Sequence, residues 1–168
     1  VGSEMCIRDS NESSESKSLL RAIESARQMS TNIKMEIENG GQLSRDFLKE
    51  NLQTLWVDGI IVLDAEGKTD CEYSTDESLA NEITEYLQKE IIMNFAGYEE
   101  RSYSERFTRE DGSFIDIAAC ARKDALGIVA IYYYTSPEFA RNYTLTIQGL
   151  LNGYSIQKDG TIIVADDG

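Results

Sequence analysis

The sequence predicts an α+β domain: a long N-terminal helix, then an antiparallel five-stranded sheet, then the start of a second unit of the same kind. Three observations predict it. Apolar residues recur at steps of three and four between Leu19 and Ile37, the period of a helix face. Short strand-forming runs punctuated by Gly-containing turns follow from Gly59 and again from Tyr103. A helical stretch with a capping signal separates those two groups.

Taken in order, residues 1–10 (VGSEMCIRDS) show no periodicity and read as a leader foreign to the domain, and Asn11 to Lys17 read as a frayed polar lead-in. Residues 11–56 form the predicted helical stalk. Its stripe is Leu19, Ile23, Ala26, Ser30, Ile33 and Ile37, and Asn39-Gly40-Gly41 supplies left-handed residues to stop it. So narrow a stripe suits a coiled-coil-like seam, the edge of a sheet or an ordinary surface helix. A second helix is expected after Ser44, with Leu48, Leu52 and Leu55 facing inward and Phe47 and Trp56 alongside.

Residues 57–135 carry the sheet. Gly59-Ile-Ile-Val-Leu63 is continuously apolar, as in a central strand covered on both sides. Asp64 to Lys68 is a turn, and Thr69 to Tyr73 returns as a more polar partner. Ser74-Thr-Asp-Glu77 has the spacing of a capping box and opens a predicted 76–96 helix with Leu79, Ile83, Leu87 and Ile91 on one face. Tyr103 to Thr108 and Phe114 to Ala121 flank Asp111-Gly112, a signal for a tight primed turn. Gly127 to Tyr134 is the strongest strand candidate. Ser136-Pro137 starts a connecting helix over 136–152, and residues 153–168 repeat the pattern of the first hairpin, as the truncated start of a second unit, an extra hairpin completing the first sheet being the alternative.

Composition narrows function. Of 168 residues, 30 are acidic and 16 basic, a net charge of -14 that repels phosphate backbones, so no nucleic-acid partner is expected. There is no histidine, which excludes Ser-His-Asp and Cys-His catalysis and a phosphorelay histidine in this segment. No phosphate loop or nucleophile elbow appears, and the Asp166-Asp167 pair in so acidic a chain reads as solvated surface; the segment is expected to be non-catalytic, with no metal and no cofactor. Cys6, Cys71 and Cys120 are widely spaced; two reduced core thiols at Cys71 and Cys120 are expected, a bridge between them being the alternative. No apolar run approaches the ~18 residues of a membrane span.

Strand alternation suggests a site. On the strand from Phe114, Asp116, Ala118, Cys120 and Arg122 share one face, and Ile115, Ile117, Ala119 and Ala121 the other. The apolar set is expected to pack on the long helix. The mixed set is expected to line a cavity under the 76–96 helix, with Asp116, Tyr103, Tyr132 and Tyr134 binding a small molecule: tyrosines give an apolar wall with a hydroxyl tip, and small side chains leave space.

The order of elements, two strands, a helical insertion and three strands, is that of a PAS-like antiparallel sheet. With LWVDGIIVLDAEGK (Leu55 to Lys68), GIVAIYYYTSPEFAR (Gly127 to Arg141) and GYSIQKDGTIIVADDG (Gly153 to Gly168), the chain resembles a double Cache (dCache) sensor domain of bacterial sensor histidine kinases, often hybrid ones. The resemblance implies a membrane-distal unit, the beginning of a membrane-proximal one, and an extracytoplasmic location at the plasma membrane between two anchoring helices outside this segment. It further implies an unidentified small-molecule ligand and a homodimer through the N-terminal helix. The Arg-x-Trp-Tyr motif of the amino-acid-binding subgroup is absent, so that specificity is not implied. A diguanylate cyclase or chemoreceptor output, or a cytoplasmic PAS-like interaction domain, are the alternatives.

Overall fold

The computed structural model describes residues 2–88 and 90–141. The described elements are α1 (Gly2–Glu38), α2 (Arg45–Leu55), β1 (Gly59–Asp64), β2 (Thr69–Ser74), α3 (Glu77–Leu87), α4 (Glu90–Met93), a 3-10 turn (Asn94–Gly97), β3 (Ser102–Thr108), β4 (Phe114–Ala121) and β5 (Gly127–Thr135). The strands form one antiparallel sheet in the order β2-β1-β5-β4-β3, the arrangement expected of the PAS-like reading. Residues 19–106 and 115–134 form one unit; of the other described residues, 2–18, 107–114 and 135–141 group separately. Most of the connecting helix and the whole of the expected second unit lie outside the described residues. What is described at 136–141 agrees with the start signal, Ser136 Oγ accepting from the Phe139 N–H at 3.3 Å.

α1 is longer than its apolar stripe. It runs for 37 residues from Gly2, through the segment expected to be foreign or frayed. Between Ser3 and Glu38 there is neither Gly nor Pro, and Glu, Lys, Arg, Met and Ala are good helix formers. The buried face is Ala22, Ser25, Ala26, Met29, Ser30 and Ile33, wider than the predicted seam, while Ile37 is exposed. Gly40, at φ +89°, ends the helix as expected.

α1 and α2 cover one face of the sheet. Ala22, Ala26, Met29 and Ile33 of α1 and Leu48 and Leu52 of α2 share a core with Ile60, Val62, Ala118, Cys120, Val129 and Ile131. The predicted face assignment of β4 is therefore inverted: the Ala118 and Cys120 set packs on the long helix. Small side chains there let a helix approach closely, so they mark helix contact rather than a cavity. On the other face, Ile61, Leu63, Ile117, Ile128, Ala130 and Tyr132 are buried, as are Leu79, Ile83 and Leu87 of α3.

Further local expectations are corrected. The N-cap of α3 is Asp76, whose carboxylate accepts from the Ser78 and Leu79 N–H groups; Ser74 is the last residue of β2 and is used elsewhere. The single 76–96 helix is three pieces: α3 stops at Gln88, whose side-chain amide donates to the Gly67 carbonyl at 3.0 Å, and the chain restarts as α4. The β3–β4 hairpin closes through the Arg109 N–H to Ser113 carbonyl bond, over a turn in which the Gly112 N–H returns to the Arg109 carbonyl. Gly112 alone of that turn has positive φ, so it is a three-residue loop with a left-handed glycine rather than a primed turn. Trp56, expected beside the inner face of α2, instead caps that helix in the left-handed region and is 80% exposed.

Cys71 and Cys120 are free thiols, as expected. Burial pushes the Cys120 thiol up to about 11 and raises Cys71 as well. Among the described residues no helix is long and apolar enough to cross a membrane.

Candidate functional site

The four site residues expected from the sequence fall in separate places. Asp116 is not solvated: it is 2% exposed and lies on the α1 side of the sheet. Its carboxylate takes a two-pronged ion pair from Arg106 on β3, with Nε at 2.6 Å and Nη2 at 2.8 Å from its two oxygens. Such planar pairing is the strongest form of charge-assisted hydrogen bond. Asp116 is thus separated by the sheet from the α3 side, where a pocket was expected. Tyr134 is 37% exposed at the end of β5, its backbone N–H held by the Asp58 carboxylate at 2.7 Å.

Tyr103 and Tyr132 do share the α3 side, on β3 and β5. These strands are separated by β4, so about 10 Å lies between them. Tyr132 is fully buried. Gly59 is paired with Ser74 on one side and Tyr132 on the other, so the three form a row across β2, β1 and β5. The Tyr132 ring leans over Gly59, in the space a side chain there would fill, and its hydroxyl bonds the Ser74 hydroxyl. A glycine in a central strand is costly unless something needs its space; here the ring does. Burial, with the nearby Asp58 charge, pushes the Tyr132 hydroxyl up to about 12, against the opposing pull of Ser74.

Tyr103 belongs to a second cluster. Its hydroxyl, that of Tyr86 on α3 and the Glu105 carboxylate on β3 form a triangle of hydrogen-bond contacts that share the two phenolic protons, with Tyr86 at 2.6 Å from the carboxylate. The two rings are tilted against one another with centroids 6.2 Å apart. Burial and the adjoining Glu105 carboxylate raise both phenols, Tyr103 far more than Tyr86. The cluster joins α3 to the edge strand of the sheet, with the half-buried tyrosines inside and the exposed Glu105 at its rim. The hydroxyls and carboxylate can accept hydrogen bonds or a positive charge from a small molecule.

No protein-family model matches the chain, and no curated protein matches it. Among solved structures it is similar to an extracellular ligand binding receptor from Desulfohalobium retbaense DSM5692, at 15% identity and a TM-score of 0.42. The similarity covers 83% of this chain and 25% of that one, so this chain spans about a quarter of the receptor's length.

Sequence reasoning missed Tyr86, Glu105, Ser74 and Arg106. Arg106 was within reach: counting outward from the turn between Arg109 and Ser113 sets 106 opposite 116, and opposite charges at facing positions signal a cross-strand pair. Tyr86 and Ser74 carry no such signal, because their partners come from other elements.

The tyrosines set an alkaline limit. Tyr132 keeps its proton up to about 12 when folded and to 10 when not. Its contribution to stability is therefore complete below pH 10 and is lost as pH climbs from there toward 12, because the unfolded chain releases a proton the folded chain holds. The loss approaches ~1.4 kcal/mol per pH unit for each such group. Urea midpoints of the wild type should fall across this window, and Tyr132→Phe should flatten the fall; an unchanged slope in that variant contradicts the assignment.

Proposed function

We propose that this chain is the extracytoplasmic ligand-sensing domain of a transmembrane signalling receptor, with a histidine kinase as its output. The chain itself acts by binding rather than catalysis. The reading is supported by the order of its elements, a helix-interrupted sheet read as β2-β1-β5-β4-β3 with the long helix α1 against one face. The observation that carries it is the convergence of Tyr86, Tyr103 and Glu105 where α3 meets the sheet. That cluster joins a short helical cover to the sheet beneath it through hydrogen bonds that an incoming ligand can replace. Its acceptor character favours a small molecule bearing an amine or several hydroxyl groups.

In this reading α1 carries the response. A ligand with different affinity for two settings of α3 on the sheet shifts their populations, and a few kcal/mol of difference suffices. Partnering of two copies through α1 passes the change across the membrane.

The test is a thermal-shift panel of amines, amino acids, carboxylates, sugars and polyols on this chain. At least one compound class should raise the melting temperature, and Tyr103→Phe with Glu105→Gln should cancel that rise while leaving the unliganded melting temperature within a few degrees. A panel with no hit, or a hit untouched by both substitutions, sinks the site. In the complete receptor the same compound should change kinase output.

A further inference from the structure

The seat of α1 on the sheet holds a fully buried hydroxyl. Ser30 is 0% exposed, and its side chain donates to the Ala121 carbonyl at 3.0 Å while accepting from the Lys123 N–H at 3.0 Å. A hydroxyl bonded to two backbone groups on either side of one residue fixes the helix axially. Sliding α1 by even one residue, ~1.5 Å, breaks both bonds and leaves the Ser30 hydroxyl and the Ala121 carbonyl buried without partners. Along the same face Ala22, Ala26 and Met29 make apolar contacts, which carry no directional preference and tolerate small shifts.

The residue between those two backbone groups is Arg122. Its side chain is only 5% exposed and is held from three sides. Nε and Nη2 grip Asp124 at 3.1 and 2.7 Å, and Nη1 reaches Asp70 on β2 at 2.8 Å and the Leu63 carbonyl of β1 at 3.5 Å. The guanidinium therefore ties the end of β4 to the β1–β2 hairpin, directly beside the Ser30 bonds.

We propose that Ser30 and Arg122 form a single latch that sets the axial position of α1 according to the state of the β1–β2 hairpin. Ser30 is a positioning residue for the helix, Arg122 the link that makes its bonds depend on Asp70. Movement of the hairpin pulls on Arg122, displaces the Ala121–Lys123 backbone and releases the hydroxyl. The use of this latch in signalling rests on the sensor reading; its existence does not.

Amide hydrogen exchange on this chain without ligand tests it. Ser30→Ala should speed exchange of the Lys123 amide about tenfold beyond any change in global stability, the loss of a bond of ~1.4 kcal/mol. Asp70→Asn, a change at a half-exposed carboxylate that folding should tolerate, should raise exchange at Lys123 and along 26–33 of α1 about threefold. In the double variant the two effects should be less than multiplicative. Unchanged α1 protection in Asp70→Asn, or fully independent effects, overturns the latch. Such a failure has no bearing on which compounds bind, and a ligand panel without a hit leaves the latch standing.

Discussion

Gly59→Ala should destabilise the protein by about 3 kcal/mol, lowering the melting temperature by roughly 10 °C. The new methyl would occupy space already taken by the Tyr132 ring, which is completely buried on the α3 side of the sheet. In an ordinary central strand the same change is favourable, since Ala restricts the unfolded chain more than Gly. The sign therefore reports the ring. Tyr132→Phe in the Gly59→Ala background should restore nothing, because the ring remains. Tyr132→Ala should be costly alone through its cavity, yet combined with Gly59→Ala the loss should fall well short of the sum. Thermal melts of the wild type, the two alanine variants and their combination decide it, and strict additivity would mean that the two residues do not share this space.

Arg122→Met should cost about 3–5 kcal/mol, seen as a large drop in urea midpoint. The reason is the partner left behind: the Asp124 side chain is 5% exposed, so its charge would stay buried without the guanidinium. Asp70, at 46% exposure, can turn to water and contributes little to the penalty. Adding Asp124→Asn to Arg122→Met should recover a substantial part of the loss by removing the stranded charge. A midpoint within ~0.5 kcal/mol of wild type for Arg122→Met alone would show the pair to be solvent-screened.

Much of the fold was legible because it is governed by local pattern. The continuous apolar run of β1, the alternation in β4 and β5 and the glycines at 40, 67 and 112 each act within a few residues, and each lies where the sequence sets it. The face assignment was not legible, since alternation says which residues go together but not which helix covers them. There the composition misled: Ala118 and Cys120 read as cavity-lining, whereas small side chains equally admit a closely packed helix. α3 was misjudged for a similar reason: it stops at Gln88, whose side chain bonds Gly67, 21 residues away, a contact that no local pattern announces. Of the expected site, Tyr103 and Tyr132 share a side of the sheet, whereas Asp116, expected in the pocket, lies on the other side; a carboxylate within an apolar strand must be neutralised, and Arg106 does so. Tyr86 escaped because its helix also presents Leu79, Ile83 and Leu87, a stripe that accounts for the segment without it.

The chain's single tryptophan, Trp56, stands in water at the junction of α2 and β1. Its emission should consequently be red already in the native protein, and denaturation should scarcely move the maximum. The indole is instead an optical probe of its own surroundings: a macromolecule settling over that junction would shift its fluorescence to the blue, while events deep in the sheet would leave its emission unchanged.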